Sequence, residues 1–82
     1  MSEPETANEV LTFLVKQIVD QPDAVEVDIE SAEERSVLEV RVAPGDMGRV
    51  IGKRGRVANA IRTVVRAAAV RDGVEVDVEF LD

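Results

Sequence analysis

The chain contains no cysteine and no histidine. Without cysteine there is neither a disulfide framework nor a thiolate metal site. Without histidine, the commonest general base, a frequent zinc ligand and the side chain that titrates near neutral pH are all missing. Tryptophan and tyrosine are also absent, and the aromatics are two phenylalanines, Phe13 and Phe80. An RNA-recognition sheet that stacks bases on exposed aromatics is thereby excluded. No apolar run approaches the roughly 20 residues needed to cross a bilayer. The first ten residues, MSEPETANEV, are acidic and lack the basic and apolar regions of a signal peptide. A cytoplasmic location without membrane association is expected.

What is present suits a folded domain. The 82 residues are 45% hydrophobic and 33% charged, a globular balance sized for one domain spanning 1–82. The net charge of −7 argues at first against a nucleic-acid partner, but its distribution does not. Residues 47–71 contain no acidic side chain and carry Arg49, Lys53, Arg54, Arg56, Arg62, Arg66 and Arg71, a local charge of +7. The other 57 residues hold three basic residues and all 17 acidic ones, a charge of −14. Such segregation is what a localised anion site needs.

Periodicity predicts the elements. Residues 3–20 form an amphipathic helix, with Ala7, Val10, Leu11, Leu14, Val15, Ile18 and Val19 on one face and Phe13 beside it. Two capping boxes compete for its start, Ser2 with Glu5 and Thr6 with Glu9. Pro22 disfavours helical geometry at the residue before it and ends the helix. Strict alternation predicts strands at 24–30, 36–43 and 74–80, each with valine, isoleucine, leucine or phenylalanine on one face and mainly acidic residues on the other. Between the last two strands, Asp46 is placed to cap a short helix through Ile51. A second helix is predicted from about 56 to 71, with Val57, Ala60, Ile61, Val64, Val65 and Ala68 inward. Gly73 suits the position just past its end. The expected fold is α+β, in the order α-β-β-α-α-β. It has a three-stranded mixed sheet with three helices packed on one face and a right-handed crossover between parallel strands.

The segment that carries chemistry is the loop Gly52-Lys53-Arg54-Gly55. Glycine permits positive φ and close approach of a phosphodiester. The loop feeds the N-terminus of the longer helix, whose free N–H groups favour an anion. Lys53, Arg54 and Arg56 add charge there, and Arg49 precedes it. Phosphate contacts would position a strand without reading its sequence. Bases would lie against Val50, Ile51 and Val57, with Arg41 bordering the groove. A P-loop does not fit: three residues rather than four separate Gly48 from Gly52, and Arg54 stands where a magnesium-binding Ser or Thr belongs. No calcium loop of EF-hand type is present, and no metal or cofactor is expected.

Four letters, G-x-x-G, are weak alone. In context, with Val50-Ile51 before it, basic residues inside it and a helix on each side, the segment resembles the phosphate-clamping loop of a KH domain. The element order resembles the type II KH arrangement, with the extra helix and strand at about 3–30 and the core at about 36–80. The run A-P-G-D-M-G-R-V-I-G-K-R-G-R at 43–56, the helix I-R-T-V-V-R-A-A-A at 61–69 and the acidic closing strand are similar to the KhpA family of small bacterial single-KH proteins. The similarity covers nearly the whole chain. Arg54 departs from it where glutamine is expected to be common, which keeps the loop polar and adds charge. The connection Arg71-Asp72-Gly73 is very short and leaves little loop to wall the far side of a groove.

The resemblance implies single-stranded RNA binding, as a post-transcriptional regulator or RNA chaperone without enzymatic activity. It also implies homodimers and heterodimers with a larger KH protein, KhpB or Jag. Gly52, Lys53, Arg54, Gly55 and Arg56 are the expected RNA contacts, with Ile51, Val50 and Arg49 flanking them. Three apolar residues off the buried faces, Phe13, Met47 and Val70, are expected to serve an isologous dimer interface. The alternative is a protein–protein module that pairs with a larger KH protein and binds RNA only secondarily.

Overall fold

The computed structural model describes residues 3–81. Six elements follow one another: α1 (Glu5–Ile18), β1 (Glu26–Ser31), β2 (Arg35–Arg41), α2 (Met47–Ile51), α3 (Arg56–Ala69) and β3 (Glu75–Leu81). Single 3-10 turns occupy Pro22–Ala24, Lys53–Gly55 and Val70–Asp72. The expected order therefore holds, with α1 ending two residues earlier than the apolar pattern suggests. Val19 is already extended, and its side chain is buried beyond the helix end.

β2 is the central strand. It pairs antiparallel with β1, Glu26 opposite Arg41 and Ser31 opposite Ser36, and parallel with β3, Arg35 opposite Glu75 and Arg41 opposite Leu81. The parallel pair requires a crossover, and α2, the glycine loop and α3 provide it. One sheet face buries Leu38, Val40, Val76 and Val78. Against it pack Ala7, Leu11, Val15 and Val19 from the first helix and its exit, Val50 of α2, and Ile61, Val65 and Ala69 of α3. Val27 and Ile29 of the edge strand β1, and Val25 just before it, are only half-buried.

The opposite sheet face is wet and charged. Arg35 donates to Asp77 at 2.6 Å and to Glu75 at 3.1 Å, and Arg41 pairs with Asp28 across the sheet. The hydrogen bond to Asp77, with the charges of Asp77 and Glu75, holds the Arg35 guanidinium above its ordinary pKa. Arg41 thus sits on the acidic face and does not border a groove beside the loop. The sheet pleat decides this, because Arg41 alternates with the buried Val40.

The core-facing stripe of α3 differs from the expected one. Ala58, Ile61, Val65 and Ala69 are buried, whereas Ala60 is exposed and Val64 is 48% exposed. The helix is apolar over a wide arc, and the positions of α1 and the sheet select which edge of that arc is covered.

Two aspartates cap elements distant in sequence. Asp72 accepts hydrogen bonds from the N–H groups of Thr6 and Ala7, both at 2.9 Å. This cap from the end of α3 replaces the Thr6–Glu9 box, and Ser2 of the other box lies outside the described residues. Partial burial raises the pKa of the Asp72 carboxyl. The bonds from Ala7 and Thr6, with the Thr6 hydroxyl and nearby Arg71, outweigh burial and leave the pKa below its usual value. Asp46 is buried and makes no side-chain cap on α2. Its carboxylate instead accepts the N–H groups of Asp20 and Gln21 at 3.2 and 3.1 Å. The chain leaving α1 is thereby pinned to the chain entering α2.

Candidate nucleic-acid interface

The glycine loop is set from both sides. On the entry side, Val50 is fully buried and anchors α2, which has only five residues. Arg49 on the same short helix pairs with Asp20 at 3.0 Å and with Asp46 at 3.6 Å. Arg49 therefore ties α2 to the end of α1 while its side chain stays half exposed, and Val50 is fully buried. Ile51 and Val57 are half-buried at the surface beside the loop.

Gly52 has φ 73° and ψ 176°, a conformation essentially restricted to glycine. A Cβ placed there would lie 2.4 Å from Cγ2 and 2.8 Å from Cβ of Val57. Gly55, at φ 72° and ψ 13°, is left-handed, and an added Cβ would meet nothing closer than Asn59 Nδ2 at 4.0 Å. Both glycines are thus required for a positive φ, and Gly52 also for its close packing against Val57.

Between them Arg54 is the one non-glycine with positive φ among the described residues, at φ 57° and ψ 27°. An L-residue held there costs roughly 1–2 kcal/mol. Such strain persists where the surroundings over-determine the turn, and it concentrates at ligand-binding sites.

Lys53, Arg54 and Arg56 are all exposed. Among the described residues none of the three joins a salt bridge or a side-chain hydrogen bond. No side chain caps the N-terminus of α3 either. The result is an outward turn of unneutralised cations at the positive end of a 14-residue helix. By contrast Arg35, Arg41, Arg49 and Arg66 are all paired with carboxylates.

One residue that sequence reasoning left out of the site stands near it. Arg62, two turns along α3, donates from Nε to the Val78 carbonyl at 3.1 Å and from Nη1 to Asn59 Oδ1 at 3.2 Å. Its guanidinium carbon lies 5.3 Å from the centre of the Phe80 ring. Nothing in the sequence marks this association, because Arg62 and Phe80 meet only when α3 packs along β3.

Two helices joined by a G-x-x-G turn, inserted between parallel strands and preceded by a helix and a strand, define a type II KH domain. Comparison with known proteins carries the assignment further. The family model of the KhpA/KhpB KH domain matches residues 8–80, so the chain belongs to that family. It is 49% identical over 73 residues to the RNA-binding protein KhpA of Clostridium acetobutylicum, covering 89% of this chain and 97% of that one. To the RNA-binding protein KhpA of Streptomyces coelicolor it is 53% identical over 74 residues, covering 90% and 92%. To that of Leifsonia xyli it is 54% identical over 72 residues, covering 88% and 92%.

Proposed function

We propose that this chain binds single-stranded RNA as one KH domain, with the turn Gly52–Gly55 holding the phosphate backbone. The observation that carries the reading is the set of exposed, unpaired cations Lys53, Arg54 and Arg56 on a strained turn at the start of α3. The name shared by its relatives, RNA-binding protein KhpA, supports it. Lys53 and Arg54 contact phosphates directly, and Arg56 adds charge beside them. Gly52 and Gly55 let the backbone approach closely, and half-buried Ile51 lines the contact. Val50 and Arg49 act by holding α2 in place. The domain acts by binding, without a catalytic step, on RNA in the cytoplasm in a post-transcriptional role. In support of that location, no helix among the described residues is long and apolar enough to cross a membrane.

Self-association belongs to the same reading. α3 carries two apolar stripes, and the fold covers only one. Ala60 and Val64, with half-buried Val57, buried Ile61 and the side chain of Arg56, meet Leu14 and Ile18 of α1 to line an open, mainly apolar trough that Lys53 and Arg54 do not line. A second copy of the chain seated on this trough would bury it and leave Lys53 and Arg54 in solvent. A larger KH protein of the same family would compete for the same face. Phe13 and Val70 are exposed as expected, at 63% and 78%, whereas Met47 packs half-buried against the core.

The test of RNA binding is the double substitution Lys53→Asp and Arg54→Asp. Both side chains are exposed, so the circular dichroism spectrum should be unchanged while affinity for single-stranded RNA is lost. A folded double variant that binds like the parent would refute the clamp.

A further inference from the structure

We propose that Arg62, laid on Phe80, is a stacking platform for one nucleobase of the bound strand, with a purine favoured. The inference rests on the reading that the glycine turn holds single-stranded RNA.

Arg62 differs from the carboxylate-paired arginines of the fold and, being held by neutral partners, from Arg54 and Arg56, which are free among the described residues. Arg35, Arg41, Arg49 and Arg66 each face a carboxylate, whereas Arg62 joins no salt bridge among the described residues. It is only partly exposed, so its charge is neither fully solvated nor neutralised. Neutral partners hold it instead. Nε is fixed by the Val78 carbonyl, Nη1 by the Asn59 side chain, and the Phe80 ring lies within cation–π distance at 5.3 Å. Nη2 has no protein hydrogen-bond partner among the described residues. A guanidinium fixed at two of its three nitrogens has already lost the rotamer freedom that a flexible arginine would lose on binding.

Its position suits the ligand. Gly55, which immediately precedes α3, and Arg62 within it are seven residues apart, about 10 Å along the helix axis. Asn59, one turn between them, closes the gap: its Nδ2 lies 4.0 Å from where a Gly55 Cβ would stand, and its Oδ1 accepts from Arg62. A strand gripped by its phosphates at the turn and running along this side of α3 brings a base over the Arg62 plane. Guanidinium planes accept stacked bases, and the charge strengthens the contact. The two-ring purines cover more of the plane than pyrimidines. The platform thereby supplies a π surface in a chain that has neither tryptophan nor tyrosine.

The test uses the intact protein and a short single-stranded RNA carrying one abasic site at each position in turn. At one position the parent protein should lose roughly 5- to 150-fold in affinity, the value of one stacked base. Arg62→Ala should lose a similar factor on intact RNA and nothing further at that abasic position. Arg62→Lys keeps the charge without the plane, and should lose nearly as much. A 2-aminopurine at that position should leave its neighbours and brighten on binding the parent protein, and should not do so with either variant. Phe80→Leu, which keeps apolar volume, should weaken binding in the same position-dependent way. If Arg62→Ala fails to fold, the abasic scan on the parent protein and the Arg62→Lys variant still decide the matter.

The proposal is overturned if no abasic position weakens binding, or if Arg62→Lys binds like the parent. It also falls if the loss in Arg62→Ala is confined to one base identity, which would mean hydrogen-bonded readout of a base edge. Each of these leaves the Lys53→Asp, Arg54→Asp result standing, and so spares the clamp. Absence of any single-stranded RNA binding by the parent protein removes both.

Discussion

Replacing Gly52 by alanine tests the loop at its most constrained point. Two costs add. The backbone at φ 73° and ψ 176° lies in a region that non-glycine residues occupy at roughly 1–3 kcal/mol. The new methyl would also stand 2.4 Å from Val57 Cγ2, inside any tolerable contact, and overpacking of this kind costs about 1–3 kcal/mol. Alanine restricts the unfolded chain and returns about 0.4–1 kcal/mol. The expected net loss is about 2–5 kcal/mol, against a total stability on the order of 4–12 kcal/mol for a chain of this size.

Gly55→Ala is the control. Its conformation is ordinary left-handed and its Cβ direction is open, so about 1 kcal/mol is expected. With neither tryptophan nor tyrosine in the chain, the assay is urea unfolding followed by far-ultraviolet circular dichroism. Adding Val57→Ala to Gly52→Ala removes the closest overlap, that with Cγ2, but leaves the Val57 Cβ contact at 2.8 Å and the backbone strain. A favourable coupling of about 1–2 kcal/mol should appear in the double-mutant cycle. Losses at Gly52 and Gly55 equal within about 0.5 kcal/mol, or no coupling to Val57, would refute the argument.

Three further outcomes are expected. Asp72→Ala removes the cap on α1 and should cost about 1–2 kcal/mol at pH 7. The folded-state pKa of Asp72 lies below its unfolded value, so its contribution is complete above about pH 4 and is lost as pH falls through the folded pKa. The difference between parent and variant should therefore shrink in acid, and a constant difference down to pH 2 would contradict the assignment. In fluorescence anisotropy, single strands should bind better than duplex. The log–log salt slope should be roughly −1.5 to −3, from about two to four neutralised phosphates; a duplex preference or a far steeper slope would count against the clamp. Val64→Asp should convert a micromolar dimer to monomer in sedimentation equilibrium with little loss of fold, since Val64 is 48% exposed; parent protein that sediments only as an 8.9 kDa monomer would refute self-association.

The element order, the alternation of the strands and the glycine turn were all legible in the sequence. Each is a local property: side chains of a strand must alternate, and a G-x-x-G turn between helical segments is written in adjacent residues. Lys53, Arg54 and Arg56 could be read for the same reason, since a charge on a tight turn has nowhere to go but outward. Other features depended on what packs against what. The wide apolar arc of α3 fits two faces equally, and only packing against α1 and the sheet chose Ala58, Ile61, Val65 and Ala69 and left Val64 outside. Asp46 looked like the cap of its own helix, but reaches residues 20 and 21; Asp72 caps a helix that begins at Glu5. Arg49 and Arg62 lie in one basic segment, yet the fold ties the first to carboxylates and lays the second on an aromatic ring. Sequence fixes which groups can ionise or donate. Partners tens of residues away become neighbours only when the core closes, and so the tertiary structure decides which of those groups are left for a ligand.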